Sequence, residues 1–292
     1  MSTTSTVLAA NVDLRDFWNF GETARLLHYD FVWQALIALA LLGVLGGILA
    51  PLIVSRQMSF AVHGASELSV TGAAAALLAG VSVNVGGVIG AVIAAAVFGI
   101  MGSRARERDS VIGVVMAFGL GLGVLFLALY GRIGAGFALL TGQVVSVGIH
   151  GLTAIAITTA VVVVVLAVIY RPVLFASLDP RVAQARGVPM RTLSVVFAIL
   201  VGLAAAQGVQ IIGALLVMSL MITPGAAAAR LSSNPTVVLG LSVLFAEIAA
   251  VGGLLLSLAP ELPVSVFVTT ISFVIYVVCR IVGSRRRHST RS

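Results

Sequence analysis

Lysine is absent from the chain, and charge of either sign is scarce. All 17 basic side chains among the 292 residues are arginines, and charged residues make up only 9% of the sequence. Without lysine there is no GxxxxGK[ST] phosphate-binding loop, which excludes ATP hydrolysis through such a loop. HExxH and GxSxG motifs are missing as well, so proteolysis and esterase chemistry have no obvious residues. We therefore expect a protein that is not an enzyme.

Cysteine occurs only once, at Cys279. A single thiol excludes a disulfide within the chain and a zinc site built on thiolates. Because Cys279 lies near the end of an apolar run, we interpret it as a small apolar residue of a helix.

Apolar residues, in contrast, are abundant. They form 60% of the chain, and the mean hydropathy is +1.17, which is typical of an integral membrane protein. A membrane span needs about 20 apolar residues. The candidate spans are 32–54, 58–82, 84–101, 110–130, 152–170, 192–208, 210–229, 236–258 and 263–282. The sequence predicts an all-α, polytopic helical bundle of about nine spans, with eight as the alternative count and a tight hairpin turn at 206–210.

The arginines predict the orientation of this bundle. With the amino terminus outside and the carboxyl terminus inside, the outer segments keep only Arg15, Arg25 and Arg132. The other arginines then lie inside, as the positive-inside rule favours. Their placement in short loops argues against nucleic-acid binding. We expect an extracytoplasmic tail over 1–30 with a short interfacial helix around Trp18, a transmembrane domain over 31–282 and a basic cytoplasmic tail over 283–292.

The longest inner loop contains a short, well-delimited helix. Asp179 is a good N-cap, and Pro180 suits the first helical position. Gly187 suits a left-handed stop, and a proline follows at position 189. The loop therefore predicts a two-turn helix over about 180–186. This helix exposes Arg181, Gln184 and Arg186, so we interpret it as a docking helix for a cytoplasmic partner.

Three ionisable residues lie well inside the predicted spans: His63, Glu67 and Glu247. Charged groups at membrane depth are costly and usually functional. His63 and Glu67 are four residues apart and share one helical face. The pair is open to three interpretations: a structural ion pair, a proton relay, or transient binding of a divalent metal through nitrogen and oxygen. Glu247 either faces the same pathway or bonds to a neighbouring helix.

Several segments between residues 30 and 282 carry a recognisable pattern. They are "PLIVSRQMSFAVHGASELSVTGAAAALLAG", "RDSVIGVVMAFGLGLGVLFLA", "SLDPRVAQARGVP", "GALLVMSLMITPGAAAARL" and "LPVSVFVTTISFVI". As a set they resemble the membrane permeases of bacterial ABC importers for zinc, manganese and iron. The resemblance places an aspartate of that family at His63 and a histidine at Glu67, so the two ligand types are exchanged while their spacing is kept.

The resemblance implies a permease in the bacterial inner membrane that imports a divalent metal. Its expected partners are membrane lipid, two cytoplasmic ATP-binding subunits, an extracytoplasmic metal-binding protein and a second permease copy that forms a homodimer with it. The helix bearing Asp179, Pro180, Arg181, Gln184, Arg186 and Gly187 would couple to the ATPase. ATP is expected on the partner subunits, and no cofactor is bound permanently.

The expected metal ligands are His63 and Glu67, with Glu247 as a further candidate. Two copies of the His63–Glu67 pair would supply two nitrogen and two carboxylate ligands. Zinc is placed slightly ahead of manganese because imidazole favours it mildly. The alternative is a stand-alone secondary transporter coupled to protons through the same three residues.

Overall fold

The computed structural model describes residues 21, 25–101, 105–131, 148–214, 217–260 and 262–289. These residues form eleven helices and no strand. The helices are α1 (Asp30–Ser55), α2 (Ser59–Ala79), α3 (Val83–Met101), α4 (Ala105–Tyr130), α5 (Gly148–Leu178), α6 (Pro180–Ala185), α7 (Met190–Ile212), α8 (Val217–Met221), α9 (Thr223–Leu231), α10 (Pro235–Leu258) and α11 (Val264–Ser289). The predicted all-α class is confirmed. The predicted interfacial helix around Trp18 falls outside the described residues.

Helices α1 and α7 form the centre of the bundle. In their most apolar stretches 61% and 72% of the residues are buried, against 17% to 39% in the other five long apolar helices. α1 packs against α5, α7, α8, α9 and α10, whereas α7 packs against α2, α3 and α5. The outer helices expose large apolar side chains, such as Phe118 at 68% and Val168 at 76%. Apolar residues on both faces are typical of helices that contact lipid.

Seven of the helices in the described part of the chain are long and apolar enough to cross a membrane, which confirms a multi-pass membrane protein. α2 is not among the seven although it has 21 residues. His63, Glu67 and several serines lower its hydropathy. It nevertheless packs against α3, α4, α7 and α8 within the bundle.

The predicted hairpin turn at 206–210 is wrong. α7 continues through this segment to Ile212 and ends at Gly213, whose φ is 90°. Two glutamines make the segment look like a turn in the sequence. Inside the bundle, however, Gln207 is 3% exposed, and Gln210 Nε2 donates to the carbonyl oxygen of Asn84 at 3.4 Å. The helix is uninterrupted because its polar side chains lie among neighbouring helices.

The predicted span over 210–229 is instead a broken helix made of α8 and α9. The break lies at Ile222, just before Pro224 in the first turn of α9. Proline has no N–H, so the Leu220 carbonyl loses its usual helical donor. Gly46 of α1 packs against Leu220, and Ala50 packs against Gly225. The broken helix therefore runs parallel to α1.

Two helices extend past their predicted ends. α5 continues through Arg171 and Pro172 to Leu178, beyond the predicted limit of 170. α11 continues to Ser289, into the segment predicted as a basic tail. The positive-inside orientation stays a prediction.

Candidate functional site

His63 and Glu67 lie one turn apart on the same face of α2. Glu67 is 6% exposed, and His63 is half-buried. His63 Nδ1 is buried and has no hydrogen-bond partner among the described residues. An ion pair with Glu67 through this nitrogen is therefore not formed. A buried imidazole nitrogen without a partner is available to a ligand that passes through the bundle.

The packing of α2 against α3 and α4 sets the direction of this face. Gly72 contacts Gly86 and Gly90 of α3 so closely that a Cβ on Gly72 would stand 2.9 Å from the Gly90 Cα. Thr71 Oγ1 donates to the carbonyl oxygen of Gly119 on α4 at 2.9 Å. His63 lies nine residues before Gly72, which is about 180° around the helix. The His63–Glu67 face therefore points away from α3.

The broken helix is the second feature of this region. α8 packs against α2 as well as against α1, α7 and α11. Broken helices at membrane depth often form substrate sites in transporters, because their irregular backbone lines a pathway. The helix that carries His63 and Glu67, α2, thus packs against the central helix α7 and against α8 of the broken helix.

Sequence reasoning missed a group of neutral polar residues on α2 and α7. Ser69 Oγ is buried without a hydrogen-bond partner in the described part of the chain. A Cβ on Gly87 would lie 3.1 Å from this oxygen and 3.5 Å from Gln210 Nε2. Ser69 and Gln210 therefore both border Gly87. The sequence does contain a signal for this group. Gln207 and Gln210 are polar residues at helical spacing within an apolar run.

Glu247 lies on α10 and packs against α1. Its Oε1 is buried, has no hydrogen-bond partner among the described residues, and would stand 2.7 Å from a Cβ on Gly43. The described residues contain no group of three or more histidine, cysteine, aspartate or glutamate side chains that could hold a metal. The structure therefore does not join Glu247 to His63 and Glu67.

The short helix predicted in the inner loop is confirmed as α6. Asp179 Oδ1 accepts from the backbone N–H groups of Arg181 at 3.1 Å and Val182 at 3.0 Å. At the other end Gly187 has a φ of 79°, and its N–H donates to the Gln184 carbonyl at 3.0 Å. Ala183 is fully buried and fixes the helix on the bundle. The helix ends at Ala185, one residue before its predicted limit.

All six predicted docking residues are exposed, three of them on α6 and three beside its ends. They are Asp179, Pro180, Arg181, Gln184, Arg186 and Gly187. Nothing in the structure tests their role in coupling, which stays a prediction.

A family model described as the ABC 3 transport family matches residues 28–283. The chain belongs to this family. The match begins just before α1 and ends within α11, so it covers every described transmembrane element.

Curated relatives extend the family assignment. The "Manganese transport system membrane protein MntC" of Halalkalibacterium halodurans is 31% identical over 237 residues, covering 80% of this chain and 80% of that protein. The "High-affinity zinc uptake system membrane protein ZnuB" of Haemophilus influenzae is 23% identical over 231 residues, covering 78% and 88%.

A solved structure shares the fold of this ABC 3 family member. It is described as "PsaBC from Streptococcus pneumoniae in complex with Fab" and superposes with a TM-score of 0.79. The match covers 89% of this chain and 95% of the other at 21% identity. This likeness confirms the helical permease fold.

Proposed function

We propose that the chain is the membrane permease of an ATP-driven importer of divalent metal ions, with manganese ahead of zinc. The unpaired Nδ1 of His63 beside the buried Glu67 carries the proposal, because imidazole nitrogen and carboxylate oxygen together suit these metals. Family membership supplies the transport class.

The choice of metal follows the relatives. The relative with 31% identity carries a manganese name, and the zinc-named relative is 23% identical. This order reverses the sequence expectation, which put zinc slightly ahead. A mixed nitrogen and oxygen donor set serves both ions, so the order rests on the names of the relatives.

A second copy of the chain would complete the site. One copy offers His63 and Glu67 on α2, which is too few ligands to hold a metal ion by itself. Two copies around an axis would provide two imidazoles and two carboxylates. The cargo must also leave, so we expect transient binding. An extracytoplasmic metal-binding protein would deliver the ion.

Coupling to ATP hydrolysis is assigned to α6 and the end of α5. α5 has 31 residues, which is about 46 Å of helix against about 30 Å of hydrocarbon. Because Arg171 follows the predicted end of the span at residue 170, we place the turns after it outside the hydrocarbon. Phe175 is 37% exposed and Leu178 is 69% exposed there, and Val182 of α6 is 44% exposed. Apolar side chains exposed outside the lipid favour a protein partner, which we identify as the cytoplasmic ATPase.

Reconstitution tests the proposal. The permease and its ATPase are placed in liposomes together with the metal-binding protein, and uptake of radioactive manganese is measured with and without ATP. We expect ATP-dependent uptake in which excess zinc competes less well than excess unlabelled manganese. Uptake by the permease alone, driven by a proton gradient, would contradict the proposal.

A further inference from the structure

An apolar groove of about 440 Å³ lies between α9, α10 and α11. Its aliphatic lining comes from Leu231 at the end of α9, from Val237 and Leu241 near the start of α10, and from Val278 and Val282 on α11. Val237 is 46% exposed and Val278 is 52% exposed. The three helices thus leave an apolar recess on the outer surface of the bundle.

The depth of the groove in the membrane follows from the predicted spans. Leu241 lies five residues inside the predicted start of its span at 236, and Val278 lies four residues inside the predicted end of its span at 282. These distances are about 6 to 8 Å of helix. Leu231, in contrast, is the last residue of α9 and lies beyond the predicted span. The groove therefore runs from the membrane surface into the hydrocarbon, where acyl chains surround the protein.

Two arginines border the end of the groove that lies at the membrane surface. Arg230 is in the last turn of α9, and a Cβ on Gly283 of α11 would lie 3.4 Å from the Arg230 Cβ, so the two helices meet at this level. Arg285 follows Val278 by seven residues, which is two turns along the same face of α11. Both arginines are exposed. Guanidinium groups bind phosphate oxygens through two parallel hydrogen bonds, so this end of the groove suits a phosphate group.

We propose that the groove binds an anionic phospholipid, with one acyl chain against the aliphatic lining and the phosphate at Arg230 and Arg285. The order of the groups along the groove matches such a lipid, because the aliphatic side chains lie deeper and the arginines lie at headgroup level. The predicted orientation puts this end in the cytoplasmic leaflet, whose anionic lipids attract basic side chains. A free phosphate ion would use only the arginines, whereas a phospholipid uses both parts. The proposal does not depend on the transport activity.

Native mass spectrometry of the purified permease tests the proposal. The permease is titrated in detergent with phosphatidylglycerol, which is anionic, and with phosphatidylcholine, which has no net charge, and the dissociation constant of the first bound lipid is measured. Arg230→Gln with Arg285→Gln addresses the headgroup, and Leu241→Trp addresses the acyl chain. Arg280→Gln is the matched control for the arginines, since Arg280 is exposed on α11 and, two residues after Val278, lies on the opposite face of that helix.

We expect the wild type to bind phosphatidylglycerol roughly tenfold more tightly than phosphatidylcholine, and the double glutamine variant to lose that preference. Arg280→Gln should keep it. Replacing Arg230 and Arg285 with lysine should preserve most of the preference, because lysine also binds phosphate, as a point charge. Leu241→Trp should weaken the binding of both lipids several-fold, because the indole ring occupies the groove. Val168→Trp places the same ring on an exposed apolar face of α5 and should bind both lipids as the wild type does.

Four results would overturn the proposal. The first is equal binding of the two lipids by the wild type, and the second is an undiminished preference in the double glutamine variant. The third is undiminished lipid binding by Leu241→Trp, and the fourth is stabilisation by glycerol phosphate as large as that by phosphatidylglycerol, which would make the groove end a free-anion site. Thermal unfolding establishes that each variant is folded. Val278→Trp, which fills the groove from α11, takes the place of Leu241→Trp if the latter does not fold. A filled groove that changes the oligomeric mass would instead make this surface an interface between copies and also overturn the proposal.

Discussion

Gly46 of α1 lies directly against the carbonyl group of Leu220 in the broken helix. A Cβ on Gly46 would stand 2.8 Å from that carbonyl oxygen, closer than atoms of these types approach. The oxygen is the one that Pro224 leaves without a helical donor. The glycine at position 46 of α1 and the break between α8 and α9 therefore meet at the same backbone contact.

The first prediction concerns this contact. Gly46→Ala should lower the stability of the permease by about 1–3 kcal/mol, because the new methyl group forces the two backbones apart. Thermal unfolding in detergent measures the change. Gly240→Ala is the matched control, since Gly240 is a helical glycine of α10 with nothing within 4 Å of its Cβ position. A control that loses as much stability as Gly46→Ala would contradict the packing argument.

The second prediction concerns the ligand pair on α2. His63→Ala and Glu67→Gln should each lower ATP-dependent manganese uptake on the order of tenfold or more, because each removes a metal ligand. The amount of permease in the liposomes is measured alongside. Normal uptake by both variants at normal expression would show that the pair has a structural role.

A double exchange sharpens this test. His63→Asp with Glu67→His keeps one imidazole and one carboxylate at the same spacing, in the order that the resemblance attributes to the family. We expect it to regain more uptake than His63→Asp alone. A double variant that is no better than the single one would show that the positions, and not only the ligand types, are fixed.

The third prediction concerns Glu247. Glu247→Gln should retain manganese uptake within about twofold, because among the described residues Glu247 does not join His63 and Glu67 in a metal-binding group, so the proposed ligands are unchanged. Uptake by reconstituted protein is again the measurement. A loss as large as that of Glu67→Gln would place Glu247 in the pathway.

The fourth prediction concerns the cap of α6. Asp179→Ala should cost the helix about 1 kcal/mol, because the N–H groups of Arg181 and Val182 lose their acceptor. Co-purification with the ATPase should fall accordingly. Asp179→Asn is the control, since asparagine caps nearly as well. If the alanine variant retains the ATPase as fully as the asparagine variant does, α6 is not the coupling element.

Much of the candidate site follows from local features of the sequence. The i, i+4 spacing of His63 and Glu67 sets their common face, and Asp179 and Gly187 delimit α6 through contacts within a few residues. Glu247 could not be placed in this way. Whether a buried carboxyl faces a pathway or a helix depends on its neighbours, and here the neighbour is Gly43 on a helix distant in sequence.

The amino-acid sequence by itself determined that this protein is a helical membrane bundle, since apolar runs of membrane length leave the backbone no other way to satisfy its hydrogen bonds. It also determined the position of α6, because caps act locally. Only the tertiary structure decided that α7 passes unbroken through Gln207 and Gln210, that the break falls before Pro224, and that α9, α10 and α11 leave an apolar groove between them. These outcomes depend on which helices lie side by side, because a polar group or a missing donor is tolerated only where the packing accommodates it.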